Sequence, residues 1–202
     1  MFEVFLQFVN YLVLAINKTG YLGIFIGMTV ESSFFPFPSE VILIPAGVLI
    51  AQGEMNFLPV FLAGLLGSLL GATINYAIAL FVGRFGVEFL VDKYGKFLFL
   101  SRTKLKHYDD YFKKHGDITT FTGRLIPGVR QLISLPAGFS RMNFPKFIFF
   151  TSLGAGIWTA VLIFVGYFFN NNYDFIVREI DILMIFFVLI VVVFYILLKR
   201  KN

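Results

Sequence analysis

The chain has 202 residues, of which 58% are hydrophobic, 19% aromatic and only 14% charged. A soluble domain carries about 25% charged residues, so this composition excludes an ordinary soluble protein and predicts an all-α polytopic membrane protein. The chain has no cysteine, which excludes disulfides, thiolate catalysis and sulfur-ligated metals. Although the formal net charge is +5, the basic residues cluster as they do in cytoplasmic membrane loops, which argues against nucleic acid as a partner.

Apolar runs predict the membrane-spanning helices. The N-terminal helix in 1–19 contains an apolar stretch, 4–17, that is short enough to be a marginal span, an interfacial helix or a signal-like segment. No Lys or Arg precedes this stretch and no cleavage site follows it, so we expect it in the mature protein. The uncharged runs 55–83 and 147–173 each exceed the roughly 20 residues that cross a bilayer, and 182–198 predicts a C-terminal transmembrane helix.

A basic connector, 84–116, separates the two halves of the chain. The basic residues of the connector and of the C-terminal tail are Arg84, Lys93, Lys96, Arg102, Lys104, Lys106, Lys113, Lys114, Lys199, Arg200 and Lys201. Because basic loops stay inside, we place the connector and the C-terminus in the cytoplasm. Leu105, Tyr108 and Phe112 stand at helical spacing among lysines, which predicts an interfacial amphipathic helix within 101–116. A solvated connector fits nearly as well.

Two segments, 20–52 and 117–140, are apolar but are interrupted by charge and proline. Neither is a simple span, so we predict two re-entrant hairpins, each leaving and re-entering the membrane on one side. Pro36, Pro38 and Pro127 mark the breaks of these hairpins.

A short internal repeat supports this organisation. Pro45-Ala46-Gly47 followed by Met55-Asn56-Phe57 in the first half matches Pro136-Ala137-Gly138 followed by Met142-Asn143-Phe144 in the second. The unit is a hairpin plus a transmembrane helix, and the charge map inserts the two copies from opposite faces, as in the inverted repeats of secondary transporters. The alternative is a shared packing solution for two small-residue turns. The single membrane domain 1–202 then comprises the N-terminal helix 1–19, repeat 1 at 20–83, the connector 84–116, repeat 2 at 117–169 and the C-terminal helix 182–198.

Four ionisable residues lie at membrane depth, namely Glu31, Glu40, Arg124 and Arg130. A charge at the bilayer centre costs roughly 2.5–3.5 kcal/mol, so four unpaired charges would cost about 10–14 kcal/mol. That cost is comparable to the roughly 5–15 kcal/mol of stability of a folded domain. We therefore expect these residues to pair with one another, acids of one copy facing arginines of the other, or to line a wet cavity. A purely structural salt bridge is the alternative.

The two arginines suit an anionic ligand. Arg presents a fork of donors that matches phosphate oxygens and stays charged at any working pH. The break at Pro127-Gly128 precedes a short apolar helix, whose free N–H groups would favour an anion beside Arg130. In the first copy, Ser39 is expected to cap the corresponding helix. Arg124, Arg130 and Gly128 are therefore our candidate residues for binding phosphate.

The acids suggest coupling to protons. Glu31 follows a long uncharged run and precedes an aromatic, proline-rich break. A desolvated carboxylate takes up a proton more readily than an exposed one, which makes Glu31 and Glu40 candidate proton-coupling groups. Glu40 could instead be a helix-start residue stabilised by the dipole.

Small and aromatic residues on the spanning helices are interpreted as packing residues. Gly64, Gly67 and Gly71 fall at i, i+3 and i+7, a spacing that lets a helix pack closely on a hairpin. Tyr76 and Trp158 are interpreted in the same way. Glycine-rich faces fit a homodimer and an internal helix contact equally well.

These motifs resemble those of the DedA family of bacterial inner-membrane proteins, also called SNARE-associated or VTT-domain proteins. The resemblance covers most of the chain. It rests on Glu31 with the proline-rich run 35–40, on Gly-Arg-Leu-Ile-Pro-Gly-Val-Arg at 123–130, and on Pro-Ala-Gly at 136–138. The Arg-x-x-Pro-x-x-Arg pattern followed by Ala-Gly is the most specific part.

The resemblance implies two re-entrant hairpins and the flipping of undecaprenyl phosphate or of a phospholipid, coupled to the proton gradient. Glu31 and Glu40 match the paired acids of the family, and Arg124 and Arg130 its paired arginines. Some members carry Asp where this chain has Glu40, which puts the geometry of that acid in doubt.

The leading hypothesis is a flippase for a phosphate-bearing lipid, either undecaprenyl phosphate or a phospholipid such as phosphatidylethanolamine. An ion or proton antiporter contributing to membrane homeostasis and a passive scaffold are the non-enzymatic alternatives. A lipid phosphatase would need a nucleophile and an acid/base partner at depth. Since His107 and His115 both lie in the connector and no metal-binding spacing appears, we predict no enzyme, no metal and no cofactor.

Overall fold

The computed structural model describes residues 18–33, 38–98, 102–126 and 129–168, with the backbone alone for 84–98, 102–110 and 113. Every regular element in these ranges is an α-helix, which confirms the all-α prediction. The predicted N-terminal stretch 4–17 and C-terminal helix 182–198 lie outside the described residues.

Seven helices follow one another along the described chain. They are α1 (Tyr21–Ser32), α2 (Glu40–Ala51), α3 (Phe57–Leu98), α4 (Arg102–Arg124), α5 (Val129–Leu132), α6 (Ser134–Phe139) and α7 (Phe144–Phe168). Helix α3 is kinked at Gly83, whose φ of 60° and ψ of −170° are not helical. The part of α3 before the kink, Phe57–Gly83, and the whole of α7 are long and apolar enough to cross a membrane. These helices coincide with the two central uncharged runs of the sequence.

Helix α4 differs from the expected boundaries. The connector was predicted to end at residue 116, but α4 continues without a break through Gly116 to Arg124. A single glycine inside a helix costs only about 1 kcal/mol, and the buried Phe112 ring lies against Gly116 within 3.1 Å of the position that a Cβ would take there. The end of the predicted connector and the first part of the segment predicted as the second hairpin are therefore one helix.

The outer faces of the two long helices are apolar. Along α3 an exposed hydrophobic residue recurs every fourth position, at Leu58, Leu62, Leu66, Leu70, Ile74 and Ile78. A continuous apolar stripe of this length is unusual on the water-exposed surface of a monomer. It is the pattern expected of a helix that faces lipid on one side and protein on the other.

The two long helices are held by arms from both halves of the chain. In the first half, α1 packs on α3, whereas α2 crosses to pack on α7. In the second half, α4 packs on α7, whereas α6 crosses to pack on α3. Each half therefore gives one arm to its own long helix and one arm to the other.

The crossing arms use equivalent glycines. A Cβ added at Gly47 in α2 would collide with the carbonyl oxygen of Ile163, and one at Gly138 in α6 would collide with that of Tyr76. Ile163 and Tyr76 each lie 19 residues after the first residue of their helix. The two Pro-Ala-Gly motifs therefore contact the same position of the opposite long helix, and the repeat seen in the sequence is also a repeat in packing.

The remaining arms rely on glycines of the long helices themselves. Gly67 lies against the carbonyl group of Phe25, and Gly71 against that of Thr29, both in α1. Gly154 in α7 meets α4 in the same manner. The predicted close packing on the glycine face of α3 is thus confirmed for Gly67 and Gly71, which both contact helix α1.

Two glycine substitutions should separate close packing from helix propensity. We expect Gly47→Ala to lower the free energy of unfolding by about 1–3 kcal/mol, because the new methyl group overlaps the backbone of α7. In Gly156→Ala the methyl group meets only Phe61 at 3.7 Å and Leu65 at 4.0 Å. That control should be neutral or more stable by up to about 1 kcal/mol. Thermal unfolding in detergent measures both, and equal melting temperatures would contradict the packing.

Candidate functional site

The carboxylate of Glu31, at the end of α1, is completely buried, and both of its oxygens accept hydrogen bonds. Its Oε1 accepts hydrogen bonds from Arg130 and, at 3.1 Å, from Nε2 of Gln131. Its Oε2 accepts a bond from the Ser32 hydroxyl at 2.9 Å. Glu31 belongs to the first half and Arg130 to the second, so an acid of one copy faces an arginine of the other as the sequence predicted.

Helix α1 reaches this position because α3 has a glycine, and so no side chain, where the two helices touch. A side chain at Gly71 would meet Ser32, so the glycine lets the end of α1 lie directly on α3. One turn later, Asn75 Nδ2 donates to the carbonyl oxygens of Ser32 and Ser33 at 3.1 and 3.0 Å and to that of Gln131 at 3.3 Å. Asn75 therefore ties the ends of both broken segments to one long helix. Its signal in the sequence is an amide within an uncharged run, which the sequence analysis did not single out.

The guanidinium of Arg130 is held by an aromatic ring as well as by Glu31. Its Cζ lies 5.5 Å from the centre of the Trp158 ring, a cation–π distance. Indole Nε1 of Trp158 donates to the hydroxyl of Ser39 at 3.2 Å. Trp158 thus has a polar role beside the site, in addition to the packing role expected from the sequence.

Arg124 lies at the end of α4 and is 3% exposed. The stem of Arg124 fits against Gly154 of α7, where a Cβ would collide with it. Its Nη2 donates to the Ser134 hydroxyl at 2.6 Å. The guanidinium of Arg124 is also close enough to Arg130 and Glu31 for electrostatic interaction with both. Nε of Arg124 is buried without a hydrogen-bond partner among the described residues. The side chain therefore keeps a donor for a ligand.

Three predicted features of the site turn out differently. Ser39 is buried at the N-cap of α2 but makes no side-chain cap, because its φ of −61° and ψ of −21° are helical rather than extended; its hydroxyl accepts the bond from Trp158 instead. The amides of Val129 and Arg130 both bond to the carbonyl of Ile126, at 3.2 and 3.0 Å, so these two N–H groups are not free for an anion. Glu40, partly exposed in the first turn of α2, makes no side-chain hydrogen bond or ion pair within the described chain.

The breaks themselves are only partly described. Pro38 lies just before α2. Pro36, Pro127 and Gly128 lie outside the described residues, so their predicted roles stay predictions. Within the described ranges, no group of three His, Cys, Asp or Glu side chains could hold a metal ion.

Among the described residues, the charges of the buried cluster do not cancel. Arg124 and Arg130 bring two positive charges and Glu31 one negative charge, and all three side chains are at most 9% exposed. A buried charge without a partner is costly, so the cluster favours a further anion. The unpartnered Nε of Arg124 offers that anion a hydrogen bond. The arrangement is therefore suited to binding a group such as phosphate.

The ion pair gives a stability prediction. We expect Glu31→Gln to destabilise the protein by about 3–5 kcal/mol, since it leaves two buried guanidiniums without a counter-charge. Adding Arg130→Gln should recover part of that loss. The exposed pair of Lys146 and Asp117, 3.1 Å apart, supplies the control: Lys146→Gln should cost no more than about 1 kcal/mol. Thermal unfolding in detergent compares these three variants and the single Arg130→Gln with the wild type, and additive losses in the double variant would contradict the pairing.

Three curated relatives are similar to this chain in sequence along most of its length. It is 32% identical over 191 residues to the uncharacterized membrane protein YkoX of Bacillus subtilis, covering 93% of this chain and 83% of the relative. It is 32% identical over 159 residues to undecaprenyl phosphate transporter A of the same species, covering 79% and 76%. It is 34% identical over 151 residues to undecaprenyl phosphate transporter A of Staphylococcus aureus, covering 75% and 74%.

No solved structure matches the chain. The model of the VTT domain matches residues 37–168, which include α2 to α7 and both arginines of the buried cluster. Of these three relatives, one is named as a membrane protein and two as transporters of undecaprenyl phosphate. The chain is therefore a membrane protein that belongs to the VTT-domain, or DedA, family.

Proposed function

We propose that this protein is a transporter, not an enzyme, that moves a phosphate-bearing lipid across the bacterial inner membrane. The observation that carries the proposal is the buried cluster of Glu31, Arg124 and Arg130, which holds an excess positive charge and an unpartnered guanidinium donor. A phosphate head group would supply the missing negative charge. The prenyl or acyl tail would stay in the bilayer beside the apolar outer faces of α3 and α7.

Undecaprenyl phosphate is the first candidate for the transported lipid. Two relatives that align over about three quarters of this chain are named undecaprenyl phosphate transporter A. A phospholipid such as phosphatidylethanolamine also carries phosphate oxygens and is the second candidate. The arginine cluster recognises the phosphate shared by both lipids, so the choice between them must be measured.

The proposed topology is an inverted repeat of two re-entrant hairpins. The first hairpin consists of α1 and α2, and the second of the end of α4 with α5 and α6. The exchange of arms between α3 and α7 supports a two-fold relation between the halves, and the basic connector supports cytoplasmic placement of that connector and of the C-terminus. Breaks that meet within the protein are the usual location of a transporter's binding site.

Proton coupling follows from competition for Arg130. A phosphate that binds Arg130 takes a hydrogen-bond partner from Glu31, whose carboxylate is otherwise fully buried. A buried carboxylate that loses its counter-charge is stabilised by taking up a proton. Release of the phosphate restores the ion pair and returns the proton. Glu40, partly exposed at the start of α2, is the proposed second titrating group.

Transport in proteoliposomes tests this proposal. We expect the wild type to move labelled undecaprenyl phosphate, and Arg124→Gln to slow this movement about 10- to 150-fold, which corresponds to one charge-assisted hydrogen bond. The double variant Glu31→Gln, Arg130→Gln removes charge in a matched pair and should be equally slow. Lys18→Gln changes an exposed lysine of the same chain and should behave as the wild type. Phosphatidylethanolamine tested in parallel identifies the substrate class.

Wild-type rates in folded Arg124→Gln would contradict the proposal. Proton flux in liposomes without any lipid movement would instead support an antiporter, and release of inorganic phosphate from labelled lipid would support an enzyme.

A separate measurement addresses coupling. We expect an imposed pH gradient to accelerate transport by the wild type but not by Glu31→Gln, which cannot exchange a proton at that position. Exchange of lipid without a gradient should persist in Glu31→Gln if the variant remains folded. An unchanged response to the gradient would remove Glu31 from the coupling step.

A further inference from the structure

A polar cavity lies away from the buried cluster, between α4 and the turn that joins α6 to α7. Its volume is about 270 Å³. The residues that matter for its chemistry are Phe112, Lys114, Asp117, Ser140, Arg141 and Lys146. Drug-sized ligands occupy pockets of roughly 300–1,000 Å³, so this cavity fits a head group but not a whole lipid.

The cavity is electropositive. Three basic side chains line it, and one acid, Asp117, pairs with Lys146 at 3.1 Å. Within the described chain, Lys114 and Arg141 have no ion pair. Helix α7 begins at Phe144 beside the cavity, and its 25 residues direct a positive dipole end there. Two cations without an ion pair among the described side chains, and a helix N-terminus, therefore surround a space of about 270 Å³.

Arg141 occupies a position that favours glycine. Its φ is 54°, and it is the one non-glycine residue with a positive φ among the described residues. The amide of Arg141 bonds to Gly138 and that of Met142 to Ala137, each at 3.0 Å, which is the Schellman pattern at the end of α6. An L-residue with a long side chain is strained in this left-handed position.

The first half of the chain ends its crossing arm in the same way but with different residues. There the left-handed position is Gly53, with φ of 79°, and its amide bonds to Ile50 while that of Glu54 bonds to Leu49. The equivalent turn is thus unstrained and is followed by an acid. The strained arginine and the basic character belong only to the turn beside the cavity.

The cavity and the arginine cluster lie along the same two helices. Asp117 lines the cavity and Arg124 lies seven residues later on α4, about 10 Å along the helix. Midway between them, the Thr120 hydroxyl lies 3.5 Å from the sulfur of Met142. On the other wall, α6 leads from Ser134, the partner of Arg124, to Ser140 of the cavity. Helices α4 and α6 therefore form both walls of one seam.

We propose that this cavity is a second phosphate-binding site, which holds the lipid head group at the connector end of the seam between α4 and α6. The identity of the lipid rests on the proposed function, whereas phosphate binding by Lys114 and Arg141 rests on the cavity itself. The site raises the local concentration of the head group before it reaches Arg124 and Arg130, or receives it afterwards.

Native mass spectrometry in detergent, with undecaprenyl phosphate as the probe, tests the site. We expect two lipids bound to the wild type and one to Lys114→Gln, Arg141→Gly, with the second dissociation constant raised at least about tenfold. Glycine fits the left-handed position, so the change at Arg141 removes the charge without harming the turn. Arg141→Lys and Lys18→Gln should keep both lipids. Undecaprenol, which lacks phosphate, should not occupy the site.

The outcomes separate the lipid from free phosphate and this site from the transporter. Displacement of the second lipid by equimolar inorganic phosphate would assign the cavity to free phosphate, and displacement only at large excess assigns it to the head group. Two lipids on Lys114→Gln, Arg141→Gly, or equal binding of undecaprenol, would overturn the proposal. If the wild type moves no lipid but Lys114→Gln, Arg141→Gly still binds one lipid fewer, the proposed transport is wrong and the proposed cavity site stands. If transport depends on Arg124 while the number of bound lipids is the same in this variant as in the wild type, only the proposed cavity site is wrong.

Discussion

The ion pair between Glu31 and Arg130 joins the two halves of the chain where neither side chain has more than a small fraction of its surface exposed. The desolvation of both groups must be offset by good geometry and by further contacts. Ser32 and Gln131 donate hydrogen bonds to the carboxylate, and the Trp158 ring lies over the guanidinium. The ion pair is stabilising only while the broken segments of both halves are in contact.

The glycines make that contact available. Gly71 lets α1 deliver Glu31 onto α3, and Gly154 leaves room for the stem of Arg124 beside α7. The crossing arms depend on Gly47 and Gly138, whose backbones touch the opposite long helix. Since lipid gives no hydrophobic driving force between helices, close backbone packing of this kind is the main attraction that holds such arms in place. Packing and electrostatics are therefore coupled in this interior.

Much of this organisation could be predicted from the sequence, because its determinants are local. Uncharged runs predicted the two long helices, and two matching Pro-Ala-Gly motifs predicted the repeat. The cost of isolated charges in lipid predicted that an acid would meet an arginine. The partners of Asn75 and Trp158 could not be predicted, because they depend on contacts between residues that are distant in the sequence. The predicted cap at Ser39 is absent because its backbone is helical, whereas a side-chain cap needs an extended N-cap residue.

Asymmetry between the two halves carries the functional information. Their packing positions correspond: Met28 lies against Gly67 of α3, and Arg124 lies against the equivalent Gly154 of α7. The first half therefore has an uncharged residue at the position where the second half has an arginine. At the ends of the crossing arms, one half places Gly53 and Glu54 where the other places a strained Arg141. Shared packing explains the common framework, but it cannot explain why cations collect in only one half. An anionic ligand that is bound along the seam between α4 and α6 gives a physical reason for that difference.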